Sequence, residues 1–281
     1  MKQIDINGLI PYEYDIYKRE GGCSVLFYVP YKPFLAIENT VYIDACYIAS
    51  NAAYKTTERV CGELRKDGVE CFLKPAFDYK SAVCSLSGAQ GKNTLCYRKG
   101  SGCFFSIGAF NVSGFEVKAP VSKEKPVMPC SGCDKCVKVC RTGAFEGGFI
   151  PERCVRHYSF SVDEAPYGIL KSFTQIIGCS LCREVCPANK EITAEEMPPE
   201  LKEYLNADNF INVLLNGDLR GFAEFFGGNY CNRNALLSSL IVVLANQNQK
   251  ERLQKIFKRE YKSQKINAAI RYAEKVMENN G

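Results

Sequence analysis

The feature that most constrains this 281-residue chain is a run of four cysteines, Cys130, Cys133, Cys136 and Cys140, spaced C-x2-C-x2-C-x3-C. Three thiolates set two residues apart in a tight turn point at three corners of one iron–sulfur cubane. The fourth, carried off by the start of a helical turn, points at a second cubane. Such a run needs a partner, and Cys179, Cys182 and Cys186, followed by Pro187, supply one as CxxCxxxCP. The usual first cysteine of that partner is missing, since Ile176 stands in its place; Cys154 fills the gap from upstream. The spacing predicts two [4Fe–4S] clusters. One takes Cys130, Cys133, Cys136 and Cys186, and the other takes Cys140, Cys154, Cys179 and Cys182. One departure is Arg141, which follows Cys140 where proline is usual.

A pair of structural zinc sites would also use CxxC pairs, in tetrahedral sets of four. It would not ask for the longer run joined to a CxxCxxxCP partner. Sixteen cysteines with a single histidine, His157, argue against a His-rich metal centre and against histidine acid–base catalysis. His157 lies three residues after Cys154 and is expected to be a partly exposed polar residue. A disulfide framework belongs to small secreted domains, and the opening residues, MKQIDIN, carry no signal-peptide pattern. The longest apolar run, 236–245, is broken by Ser238 and Ser239, and a bilayer span takes about 20 residues. A cytoplasmic protein with no membrane association is expected. The other eight cysteines, Cys23, Cys46, Cys61, Cys71, Cys84, Cys96, Cys103 and Cys231, are scattered without ligand spacing. They are expected to be small buried hydrophobes.

The fold expected is α+β, in three segments. Residues 1–121 mix strand-like runs, 24–29 and 69–73, with helical spacing over 41–67 that stops at Gly68, and read as an α/β layer domain. Residues 122–197, entered through a linker at 119–126, form a ferredoxin-like double-cluster module. Residues 198–281 read as a short helical, HEAT-like cap, with helices near 210–215, 219–226, 234–245, 249–260 and 263–278. A net charge of +5 permits an anionic partner. Basic residues crowd the tail between Lys250 and Lys275, either as an RNA-binding face or as a solvated helix face.

The order of these parts resembles the epoxyqueuosine reductases, relatives of the reductive dehalogenases. The resemblance rests on residues 25–31 (VLFYVPY), 88–95 (GAQGKNTL) and 100–108 (GSGCFFSIG), on Arg153 with Cys154, and on 178–187. It rests also on 233–236 with 244–246 in the tail. It implies reduction of the epoxide of epoxyqueuosine in tRNA to queuosine, with a cobalamin over the first domain fed by the two clusters. It implies cofactor-binding roles for Gly88, Gly91, Lys92 and Asn93, and an electron donor such as flavodoxin or ferredoxin. The chain departs from the family pattern at several points. Its proton-donor position holds Phe72, three residues before Pro75; Ala89 replaces a tryptophan, and Tyr54-Lys55 replaces a Tyr-His pair. Asp78 and Tyr79 are the nearby catalytic candidates. The alternative is a non-catalytic [4Fe–4S] electron-transfer or redox-sensing protein without a corrinoid; a zinc protein that binds RNA is a third reading.

Overall fold

The structure, a computed structural model, describes residues 2–73, 77–118 and 124–279. Pro75 and most of the expected 119–126 linker, with the 121/122 boundary, lie outside the described residues. The chain forms two compact units that interleave along the sequence. The first comprises Met1–Lys32, Ala45–Asp134 and Cys186–Thr193; the second comprises Pro33–Asp44, Lys135–Val185 and Ala194–Gly281.

The first unit holds β1 (Lys2–Ile4), β2 (Glu13–Arg19), β3 (Gly22–Pro30), α1 (Cys46–Lys66), β4 (Glu70–Leu73), α2 (Tyr79–Ser85), β5 (Gly88–Gln90), β6 (Cys96–Arg98), β7 (Phe105–Ser113) and β8 (Phe115–Val117). Its main sheet has the order β2-β3-β7-β4, and every pair in it is antiparallel. β3 and β4, joined by α1, therefore run the same way with β7 between them. The α/β layer expected from alternating elements is thus a split crossover in an antiparallel sheet. β3 is buried along nearly its whole length because its alternating side chains enter two cores. Val25, Phe27 and Val29 pack with Ala53, Val60 and Leu64 of α1. Leu26 and Tyr28 pack with Ala82 and Val83 of α2.

The helix expected from residue 41 begins at Cys46, because residues 41–44 are engaged in the second unit. It stops as expected before Gly68, whose φ of 76° suits glycine at a helix end. β7, which overlaps the 100–108 stretch that carries the resemblance, is an interior strand of the sheet. Gly108 within it faces the Phe27 ring, where an added Cβ would come within 2.1 Å of Cζ.

Two pairs correct the expectation of eight scattered cysteines. Cys61 of α1 and Cys71 of β4 are disulfide-bonded, with Cα atoms 5.6 Å apart. Cys84 and Cys96 place their sulfurs 3.4 Å apart. The residues of each pair meet only through the packing of α1 on β4 and of α2 on β6, which no local spacing announces.

The second unit holds α3 (Lys135–Val139), α4 (Tyr167–Leu170), α5 (Leu181–Glu184), α6 (Pro199–Tyr204), α7 (Ala207–Asn216), α8 (Arg220–Phe226), α9 (Arg233–Asn246), α10 (Lys250–Phe257) and α11 (Gln264–Asn279). The helices expected in the tail appear as α7 to α11, with ends shifted by a few residues. α9 is apolar and buried on all sides from Ala235 to Ala245, so it is a core helix. It is bonded to the cysteine-bearing segment of its own unit. Asn246 Nδ2 donates to the carbonyls of Leu170 (2.8 Å) and Phe173 (2.9 Å), and Ser239 Oγ donates to the Ser159 carbonyl (3.0 Å). Among the described residues no helix is long and apolar enough to cross a membrane.

Candidate iron–sulfur centre

Cys140 leaves the end of α3 and enters a turn through Gly143 at φ 67°. Its sulfur accepts from the Ala144 N–H at 3.4 Å and lies 3.5 Å from the Thr142 hydroxyl. Burial pushes the Cys140 thiol up, but hydrogen bonds from the Thr142 hydroxyl and the backbone N–H groups of Thr142, Ala144 and Gly143 outweigh it. The thiol is held below its ordinary range. Consecutive N–H groups aimed at one sulfur form a nest that favours the thiolate.

Four cysteines meet within this unit. Cys140, Cys154, Cys179 and Cys182 line one cavity of about 40 Å³, walled otherwise mainly by Ala144, Phe145, Val155 and Leu181. Burial pushes the Cys179 thiol up; the Leu181 N–H opposes this, and negative charge on Cys154 and Cys140 reinforces it. Sulfurs that disfavour one another's ionisation become thiolates when they share a cationic centre. An all-thiolate set, an apolar wall and N–H donors at one sulfur fit an iron–sulfur cluster. Among the described residues no group of three or more His, Cys, Asp or Glu is gathered around a single-ion position. The four sulfurs line the cavity instead.

Second-unit residues that set these ligands in place are far apart in sequence. Arg183, between Cys182 and Glu184, makes a bidentate pair with Asp44 at 2.7 and 3.3 Å, and both side chains are buried. Gly178, at φ 90°, donates its N–H to Ser159 Oγ at 3.1 Å just before Cys179. Cys154 sits between two 3-10 turns, its N–H on the Pro151 carbonyl at 2.8 Å. Beside Cys140 opens a wider cleft of about 490 Å³, lined by Arg141, Thr142, Glu146, Glu152 and Arg153 among others. Arg153 and Glu146 pair there at 2.8 Å.

In the first unit, Cys130 and Cys133 share a tight turn, Cys133 N–H on the Cys130 carbonyl at 3.3 Å, with Gly132 at φ 69°. Cys186 opens the 3-10 turn Pro187–Asn189. Asn189 holds that segment in place: its Oδ1 accepts from the Cys103 N–H (2.9 Å) and its Nδ2 donates to Cys103 Sγ (3.2 Å). Gly102 leaves the room for it, since a Cβ there would fall on Asn189 Oδ1. Cys136 lies within α3 of the second unit.

Gly88, Gly91, Lys92 and Asn93 fall in and beside the β5–β6 hairpin, and each is committed to contacts inside the protein. A Cβ on Gly88 would meet Val83 Cγ1 and Cys96 Sγ at 2.8 and 2.9 Å; one on Gly91 would meet Asn93 Oδ1 and the Tyr97 ring at 2.8 Å. Lys92 Nζ donates to the Cys133 carbonyl and to Asp134, both at 3.0 Å. Asn93, buried, donates to the Tyr97 hydroxyl at 2.8 Å.

Phe72 is 47% exposed on β4. Asp78 caps α2, accepting from the Lys80 N–H (3.0 Å) and Ser81 Oγ (2.6 Å). The Ser81 bond leads the effects that hold its carboxyl below the usual range, so it is a poor proton donor. Tyr79 is half-buried, and burial pushes its phenol up. His157 is exposed and meets Tyr158 edge-on. In the basic tail, Arg252 and Lys255 pair with Asp208 at 2.7 and 2.8 Å, Arg259 bonds Asn216 Oδ1, and Lys265 donates to the Phe160 carbonyl.

Fold and cysteines together define a double-cluster iron–sulfur protein. Residues 129–189 match the 4Fe-4S double cluster binding domain. The epoxyqueuosine reductases are the family to which the wider comparisons relate the chain. It is 28% identical over 179 residues to the epoxyqueuosine reductase of Lactococcus garvieae, covering 60% of this chain and 49% of that protein. It is 27% identical over 139 residues to that of Pseudomonas aeruginosa, covering 47% and 38%. The chain thus spans half or less of the length of these curated relatives. Among solved structures, the epoxyqueuosine reductase from Streptococcus thermophilus has a similar fold, with a TM-score of 0.66 at 18% identity over 92% of this chain and 75% of that one. Another, an epoxyqueuosine reductase with a tRNA-Tyr epoxyqueuosine-modified stem loop, gives a TM-score of 0.59 at 16% identity over 91% and 82%.

Proposed function

We propose that this chain is an iron–sulfur reductase of the epoxyqueuosine reductase type, acting on a modified nucleoside in tRNA. The observation that carries the reading is the convergence of Cys140, Cys154, Cys179 and Cys182 on one cavity, in a chain whose relatives are epoxyqueuosine reductases. These four hold one [4Fe–4S] cluster; Cys130, Cys133, Cys136 and Cys186 hold the other. Converting epoxyqueuosine to queuosine removes the epoxide oxygen as water and takes two electrons and two protons. Two clusters that each cycle by one electron store the electron pair. The cleft beside Cys140 gives a donor such as flavodoxin or ferredoxin its approach to the second-unit cluster.

The four residues that the resemblance assigns to a cobalamin make packing and hydrogen-bonding contacts of their own. The space at Gly88 and Gly91 is filled by Val83, Cys96 and Tyr97, and Lys92 and Asn93 are bonded within the protein. With Asp78 held ionised and Phe72 unable to give a proton, the neutral phenol of Tyr79 is the remaining nearby donor. Those two positions also favour a second reading, an electron-transfer protein without its own substrate.

Turnover decides between them. Protein with intact clusters is given a low-potential reductant and tRNA carrying epoxyqueuosine, and the nucleosides are weighed. Loss of one oxygen supports the reductase; unchanged nucleoside with clusters cycling leaves the electron carrier.

A further inference from the structure

Apart from the cysteines of the cluster run, the first unit holds two thiols in contact. Cys84, in the last turn of α2, and Cys96, at the start of β6, place their sulfurs 3.4 Å apart. A disulfide bond is about 2.05 Å long, so the sulfurs need close by only about 1.4 Å to form one. The other pair of this unit, Cys61 and Cys71, is already bonded.

Both thiols are carried by anchored elements. Cys84 and Cys96 pack in one apolar cluster with Leu26 and Val83. The strand end beyond Cys96 is fixed by Arg98, which is buried with Nε on Ser87 Oγ at 3.1 Å and a pair with Glu13 at 3.1 Å. Gly88 leaves room for the Cys96 sulfur, since a Cβ there would come within 2.9 Å of it. The two thiols differ in access. Cys84 is partly exposed and Cys96 is buried. Burial, and then the Cys84 thiol beside it, push the Cys96 thiol up. An accessible thiol backed by a second one is the arrangement of a redox-responsive pair.

We infer that Cys84 and Cys96 are a reversible dithiol–disulfide site oxidised by hydroperoxides, with Cys84 the sulfur that is attacked from solvent and Cys96 the sulfur that resolves it. The Cys84 sulfur takes one oxygen of the peroxide and becomes a sulfenic acid. The O–O bond breaks, and the other oxygen leaves with the thiol proton as water or alcohol. The Cys96 sulfur then bonds the Cys84 sulfur, and the hydroxyl leaves with the Cys96 proton as water. The sulfurs give up two electrons, which the peroxide takes, and a small dithiol returns them by exchange. The bond ties α2 to the β5–β6 hairpin. The inference does not depend on the cluster reading.

The test is peptide mapping of the full chain, isolated anaerobically, treated with excess hydrogen peroxide, then unfolded in N-ethylmaleimide. Trypsin separates Cys84, in residues 81–92, from Cys96, in residues 93–98. The expected product is these two peptides joined, lighter than their sum by two hydrogens, and parted again by dithiothreitol. In Cys96→Ser, dimedone is expected to trap a sulfenic acid on Cys84. In Cys84→Ser, Cys96 is expected to stay a thiol. Cys84 and Cys96 both recovered as free thiols after peroxide, or each joined to other cysteines, would overturn the inference. A sulfenic acid on Cys96 in Cys84→Ser, with none on Cys84 in Cys96→Ser, would overturn the roles given to the two sulfurs.

Discussion

Cys140 and Cys186 are supported in different ways. Around Cys140 the donors are mostly backbone N–H groups of the 142–144 turn, joined by one hydroxyl. Around Cys186 the support comes from side-chain contacts of the turn it opens: the Asn189 amide accepts from the Cys103 N–H and donates to Cys103 Sγ. A backbone nest depends on the shape of its turn and tolerates many side-chain changes. A side-chain relay fails at single positions. The second-unit ligands should therefore answer to substitutions that disturb the fold of their unit, and the Cys186 ligand to substitutions that remove one atom.

The largest effect is expected at the ligands. Cys179→Ser should lower iron by about half, from about eight to about four atoms per chain, whereas Cys231→Ser should leave it unchanged. Equal losses in both would break the distinction between ligand and bystander cysteines.

Next comes Asp44→Ala. It leaves the Arg183 guanidinium buried without its carboxylate, a change that costs about 3–5 kcal/mol, read in thermal unfolding with loss of the second-unit cluster signal. Asn246→Ala strands the Leu170 and Phe173 carbonyls and should cost about 1–3 kcal/mol. The signal of the Cys186 cluster should outlast both changes.

The smallest effect is on the exposed surface. Hydrogen bonds from Arg252 and then Lys255 hold Asp208 down to about 2. A depressed carboxylate contributes stability that is fully present above its unfolded pKa of about 4. That contribution is lost as pH falls toward 2. The group is well exposed, so Asp208→Asn should cost under about 1 kcal/mol at neutral pH. The difference from wild type should vanish in acid.

The cysteine run was legible because ligand spacing is a local property of the chain. The structure gathers Cys140, Cys154, Cys179 and Cys182 on one cavity although a segment with 3-10 turns and α4 separates Cys154 from Cys179. The tail helices were legible from their punctuation: Gly217 and Gly227 end α7 and α8, and Asn246 closes α9. β7 was hidden by Gly108, which looks like a loop residue until the Phe27 ring is seen against it. The Asp44–Arg183 pair is 139 residues apart in sequence, and nothing near either residue announces the other. In the 88–95 stretch, which the resemblance marks as a cofactor turn, the bareness of Gly88 and Gly91 also makes room for Cys96 and Tyr97.

The most direct measurement is iron and acid-labile sulfide analysis of anaerobically isolated protein, with Mössbauer or EPR spectra of the reduced form. About eight iron and eight sulfide per chain, with the spectra of two [4Fe–4S] clusters, is the expected result. Stoichiometric zinc, or iron without sulfide, would contradict it.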